Sequence, residues 1–243
     1  MELYDLDRFH VNIGRGPAVI LARLADHGLV TFNGLASRQE LVEFARTLGT
    51  IYQHRDSQGD GVTVVADQAA QRDGYLGLTN SALTLHTDRS GVAAPPGLII
   101  LYCEHKAEDG GLSTFTDGAR VHATLDGQTL DALQRAHSAI FFGGDEPYRG
   151  AVFEPVGGPG RVALRFRYDS YAYFAPDVVE ALPHWWEAVN AHLIGFRLNP
   201  GSGYIVQNDR WLHGRTAFVG SRSMLRVLID APEMPKGFRA ISA

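Results

Sequence analysis

Apolar positions recur at helical spacing in only a few stretches of this chain. Residues 17–29, from Pro17 to Leu29, predict a helix with proline in its first turn and a His27-Gly28 stop, followed by a short strand Val30-Thr31-Phe32. A second helix is predicted next. Ser37 can cap it, Glu40 completes a capping box, Leu41, Phe44, Ala45 and Leu48 supply one apolar face, and Gly49 ends it. From residue 61 onward the pattern changes to short runs rich in β-branched and aromatic residues, separated by Gly, Pro and Asp. Strands are predicted at Val62–Val65, Leu98–Tyr102, Ser113–Thr116, Ala151–Glu154, Arg161–Tyr168, Gly203–Gln207 and Ser223–Asp230. Two helical segments interrupt them, Asp117–His137 and Pro176–Leu193. The second carries Val178, Leu182, Trp185, Trp186 and Val189 on one stripe, where the tryptophans are expected to pack rather than to bind a ligand.

Composition narrows the class. With 243 residues, 45% of them hydrophobic, the chain suffices for one domain with a substantial core, expected to span residues 1–243. Pro155–Gly160 is the most linker-like segment, yet six residues between two strand patterns predict a hairpin turn. A net charge of −5 offers no basic stripe for nucleic acid, and no run of like charges marks a membrane surface. Neither is expected as a partner. The start MELYDLDRFH lacks an apolar core of the secretory kind, and no stretch of about 18 apolar residues occurs, so a cytoplasmic protein is expected. Cys103 is the only cysteine and lies in an apolar run, where a buried thiol is expected.

The chemistry-bearing residues stand out against this background. Among ten histidines, two begin a His-x-Asp sequence, His54-Arg55-Asp56 and His86-Thr87-Asp88. On an extended segment alternate residues share a face, so either pair can aim an imidazole and a carboxylate at one point. The flanks separate them. His54 leads into the polar cluster Asp56–Gly61 and is expected on a solvated loop, whereas His86 follows Leu83-Thr84-Leu85. A second imidazole, His213, ends an extended stretch beginning at Gly203. Together His86, Asp88 and His213 can supply two nitrogens and a carboxylate to one metal, the set used by non-haem Fe(II) oxygenases. Arg222 and Arg226 follow, four apart on a predicted strand and so on one face. Two guanidiniums near a metal demand anionic partners.

These pieces, with Gly110–Gly118, Phe166–Asp169 and Gln207–Arg215, resemble the taurine dioxygenase and clavaminate synthase-like Fe(II)- and 2-oxoglutarate-dependent oxygenases over most of the chain. The resemblance implies a mainly β fold with flanking helices around a double-stranded β-helix (jelly-roll) core. It implies His86, Asp88 and His213 as catalytic iron ligands, with 2-oxoglutarate and O2 as cosubstrates. Arg222 would hold the distal carboxylate of 2-oxoglutarate, sharing it with the hydroxyl of Ser113 or, failing that, Thr114. Arg226 would bind the acid group of a small-molecule substrate, a free amino acid or a derivative. Asp169 would lie near that substrate, although a plain turn aspartate is an equal reading of it. Aromatic walls would come from among Tyr102, Tyr168, Tyr171, Tyr173 and Phe174. Hydroxylation of an unactivated C–H bond is the default outcome, with desaturation or cyclisation on the same centre as the alternative. The carboxylate of Asp88 disfavours halogenation. The connection 216–221 is short for the arginine oxygenases of this family and implies a reduced lid. Two other readings stay open: a metal-free β-sandwich that binds a small acid, and a zinc hydrolase, which leaves the two arginines unexplained.

Overall fold

The computed structural model describes residues 8–67 and 76–240; the acidic start of the chain, residues 1–7, lies outside them. Helix α1 (Pro17–His27) stops where Gly28 takes the left-handed conformation, φ 68°. A side chain there would collide with Trp211, whose Nε1 donates to the His27 carbonyl. Helix α2 (Arg38–Leu48) has the expected cap. The Ser37 hydroxyl accepts the Glu40 N–H at 3.1 Å, but Glu40 reaches back to the N–H of Ala36, one residue short of the usual box.

The segment expected as one helix from Asp117 to His137 is two, α3 (Gly118–Thr124) and α4 (Gly127–Gln134). Leu125 is extended, and Asp126 caps a fresh helix by accepting from both the N–H and the hydroxyl of Thr129. Helix α5 (Pro176–Ala191) buries Trp185 completely within an aromatic cluster with Phe153 and Phe166. Removing such a side chain costs about 3–5 kcal/mol.

Two antiparallel sheets carry the architecture. The larger runs, in spatial order, Leu29–Asn33, Ser202–Gln207, Leu98–His105, Ser223–Asp230 and Thr50–Ile51, with Val62–Ala66 also paired to Ser223–Asp230. The smaller is Ile194–Phe196, Ser113–Asp117, Trp211–Arg215 and Leu83–His86. Their facing sides share one core, in which Ile99, Leu101, Tyr204 and Leu228 meet Phe115 and Phe196. The outer side of the larger sheet packs on α1 and α2 through Ile20, Leu24, Leu41 and Ile100. The outer side of the smaller one packs on α3, α4 and α5 through Leu212, Val121, Leu133 and Trp185. Period-two alternation in each strand thus sends one set of side chains between the sheets and the other under the helices.

Several strands differ from expectation. The hairpin turn at Pro155–Gly160 forms, but its second strand is only Arg161–Leu164, not the full run to Tyr168. Arg165 ends it by turning inward, its Nη1 bonding the Ser90 and Val92 carbonyls at 2.6 Å each. The stretch from Gly203 to His213 is likewise two strands: the chain turns where the Arg210 N–H bonds the Gln207 carbonyl, and Trp211–Arg215 joins the other sheet. Cys103 is buried, as expected. Among the described residues no helix is long and apolar enough to cross a membrane.

Candidate metal centre and adjoining cavity

His86 and His213 occupy directly opposed positions of adjacent strands, their rings 4.6 Å apart between centroids. Cross-strand neighbours on one face are close enough to share a ligand. The strand of His213 passes close to Leu83 because Gly214 follows it: a Cβ on that glycine would lie 2.5 Å from the Leu83 carbonyl oxygen. Asp88 lies two residues beyond His86, and ligand atoms of His86, Asp88 and His213 all fall within 4.8 Å of one another.

The surroundings fix these groups. The His86 Nδ1 lies 2.9 Å from the Thr84 carbonyl, so it carries the proton and leaves Nε2 with a lone pair toward Asp88. Asn208, buried in the turn between the sheets, clamps the Asp88 backbone from both sides: its Oδ1 accepts the Asp88 N–H at 2.7 Å and its Nδ2 donates to the Asp88 carbonyl at 2.9 Å. Thr87 bonds the backbone of Phe166. Neither Asn208 nor Arg165 was anticipated as part of the site; only the turn propensity of Asn208-Asp209 hinted at the former.

Charge and burial suit a cation. Burial, then the neighbouring His86, pushes His213 down to about 3, so the imidazole is neutral and able to ligate. Burial raises the Asp88 carboxyl, but the charge of Arg226 beside it prevails and the group lies well below the usual carboxylate range. Arg226 Nη1 donates to Asp88 Oδ2 at 2.9 Å, leaving Oδ1 toward His86. The buried His213 Nδ1 has no hydrogen-bond partner. The neutral His213 imidazole, the His86 imidazole and one ionised carboxylate, converging on one point, can hold a divalent transition metal.

The three residues open into a cavity of about 290 Å³. Arg222, Arg226 and Ser113 line it, so the two arginines do share a face. Arg222 is buried, lies over the Phe218 ring, and among the described residues has no ion pair and no hydrogen bond. Its Nε would sit 3.3 Å from a Cβ on Gly111, whose φ of 65° favours glycine, so this turn makes room for the guanidinium. Ser113 is buried with its side chain toward the cavity; Thr114, next on the strand, alternates to the other face and does not line it. Asp169 lines the cavity, yet it is paired to Arg167 and accepts the Tyr171 N–H at 2.9 Å, so both readings of it meet in one residue. Tyr168 and Tyr171 are wall residues. Tyr102 instead bonds the Leu35 carbonyl behind the larger sheet, Tyr173 is exposed, and Phe174 packs under the helices.

His54 and Asp56 correct an expectation. They do not lie on a solvated loop but line the same cavity, with side chains only 11% and 15% exposed. The His54 Nδ1 accepts the Asp56 N–H at 3.1 Å, which places its proton on Nε2. Burial first, then Arg226, pushes its pKa down to about 4. The polar residues after His54 turn the chain back on itself, with the Ser57 hydroxyl donating to the His54 carbonyl, and so fold the imidazole inward.

A sandwich of two sheets whose cavity carries two imidazoles and a carboxylate defines a site of the facial-triad kind. The chain belongs to the taurine catabolism dioxygenase TauD, TfdA family, whose model matches residues 5–228. Its fold is similar to that of an asparagine oxygenase solved with Fe(II), 2S,3S-3-hydroxyasparagine and succinate: TM-score 0.73, 20% identity, 88% of this chain and 80% of that one. It is also similar to the non-haem iron oxygenase OrfP solved with Fe and alpha-ketoglutaric acid, TM-score 0.71, 17% identity, 90% and 82% covered. A third similar fold is the PvcB protein from Pseudomonas aeruginosa, TM-score 0.72, 21% identity, 96% and 89% covered.

Proposed function

We propose that the protein is an Fe(II)- and 2-oxoglutarate-dependent dioxygenase that hydroxylates an unactivated C–H bond of a small acid-bearing substrate, an amino acid or a derivative. The observation that carries it is the convergence of His86, Asp88 and His213 within 4.8 Å, beside a buried arginine, Arg222, that no anion of the described protein neutralises. A metal-free acid-binding sandwich would have no use for a buried neutral imidazole, His213, set beside a second imidazole and an ionised carboxylate. The asparagine oxygenase and OrfP, solved with a hydroxylated amino acid or 2-oxoglutarate, support the substrate class.

In this proposal a single domain with a double-stranded β-helix core holds the centre between its sheets. His86, Asp88 and His213 bind the metal; Fe(II) with 2-oxoglutarate and O2 supplies the oxidising power that removes hydrogen from the substrate. Arg222 pairs with the distal carboxylate of 2-oxoglutarate, a fit for a planar bidentate cation, and the Ser113 hydroxyl shares it. Arg226 offers its remaining donors to the substrate acid group while still bonded to Asp88. Asp169, already bonded to Arg167, borders the substrate space with Tyr168 and Tyr171.

The test is direct. Mixed anaerobically with Fe(II) and 2-oxoglutarate, the protein is expected to show a weak visible metal-to-ligand band. A screen of free amino acids for succinate release, read with mass spectrometry, is expected to find the substrate as a product heavier by one oxygen. A folded, iron-loaded sample without the band would overturn the proposal.

A further inference from the structure

Arg89, which follows the Asp88 ligand, is strained and electrically unanswered. Its backbone lies at φ 57°, one of two non-glycine residues in the left-handed region among the described residues. A long side chain is held in this conformation only where the surroundings enforce it. The chain here is tightly tied: Arg165 binds the Ser90 and Val92 carbonyls, and the Ser90 hydroxyl binds the Thr87 carbonyl. The result is a guanidinium turned into the cavity. Its Nη1 donates to a neutral acceptor, the Gly143 carbonyl, at 3.1 Å, and its Nε is buried without a partner. No carboxylate pairs with it among the described residues.

The other cations that line the cavity are answered or assigned. Arg226 has Asp88, Arg167 has Asp169, and Arg55 lies 3.8 Å from Asp56. Arg215 bonds the Thr79 and Ser81 carbonyls, and Arg222 faces the expected distal carboxylate of 2-oxoglutarate. Arg89, Arg226 and His54 line the same cavity, and Arg226 is bonded to Asp88, the residue before Arg89, so the two guanidiniums border one region. His54 adds a neutral Nε2–H donor there. Arg226, though bonded to Asp88, is the cation assigned above to the acid group of the substrate, and Arg89, whose buried Nε has no partner, then meets an anion only if the substrate carries a second acid group.

We propose that Arg89 is a specificity-determining anchor and that the substrate is a diacid, with one acid group on Arg226 and the second on Arg89. This rests on the functional proposal above and names its substrate class. The test loads the protein anaerobically with Fe(II) and 2-oxoglutarate, which reports an assembled centre through the visible band. It then reads binding as the change in that band on titration with L-aspartate, L-glutamate and their N-acetyl forms, each against its side-chain amide. At least one acid is expected to bind about tenfold more tightly than its amide, the ratio that one charge-assisted pair supplies. Arg89→Gln is expected to abolish that preference and Arg89→Lys to retain part of it, with the band formed in both. A band with no acid preference, no binding of any diacid, or an unchanged preference in Arg89→Gln would overturn the diacid proposal alone. Absence of the band in the unaltered protein would overturn both.

Discussion

The guanidinium of Arg226 and the carboxylate of Asp88 are bonded at 2.9 Å, which ties the proposed substrate anchor to a proposed metal ligand. Arg226→Met leaves the buried Asp88 charge without its hydrogen-bonded cation, a loss of about 3–5 kcal/mol for a broken buried pair. A bound divalent cation supplies the missing positive charge. The variant is therefore expected to lose much more stability in metal-free form than with Zn(II) added, measured by chemical denaturation in the two states. Equal losses in both would separate the pair from the metal.

His213→Ala removes one of the two imidazoles while leaving the strand pairing to Phe115 intact. Succinate formation is expected to vanish with the circular dichroism spectrum unchanged. Retained turnover would remove His213 from the ligand set.

Arg222→Ala deletes the buried, unpaired guanidinium beside Ser113. Affinity for 2-oxoglutarate is expected to fall by about 2–4 kcal/mol, as for a lost charge-assisted pair. Titration of the visible band measures it, and an unchanged affinity would move that role to another cation of the cavity.

Asn208→Ala takes away both bonds that hold the backbone of Asp88. Outer-shell partners of this kind typically matter by about 10–100-fold in metal affinity. Competition with a chelator is expected to show a loss in that range, although Asn208 itself touches no metal.

Acid is expected to destabilise the metal-free protein through His54 from about pH 6.5 downward. His54 has a folded pKa of about 4 against an ordinary 6.5. Above pH 6.5 neither the folded nor the unfolded form holds this proton; between 6.5 and about 4 only the unfolded form does, so stability falls with pH in that window. The shift corresponds to at most about 3 kcal/mol. Denaturation at pH 7 and pH 4.5 is expected to show a smaller difference in His54→Gln than in the unaltered chain.

The parts legible in the sequence were those governed by local rules. Ser37 and Gly28 mark helix ends because capping and the left-handed turn are decided within a few residues. His86, Asp88, His213, Arg222 and Arg226 stood out because their chemistry is unusual in apolar or extended segments. What escaped depends on contacts distant in sequence. Strands of three residues such as Ala139–Phe141 and Ala172–Phe174 exist because each finds the other as a partner. His54 looked solvated because its neighbours are polar, but those neighbours fold back and bury it. Asn208 looked like a turn residue and is one; that its amide also grips Asp88 follows from two sheets meeting there.

The register that sets His86 opposite His213 also orders events in the life of the protein. The two imidazoles are 127 positions apart in sequence and meet only when the Leu83–His86 and Trp211–Arg215 strands pair. A ribosome must therefore release both strands before the three candidate ligands can converge. A product that stops short of Trp211 would lack the proposed metal pocket, whatever else of the fold it had formed.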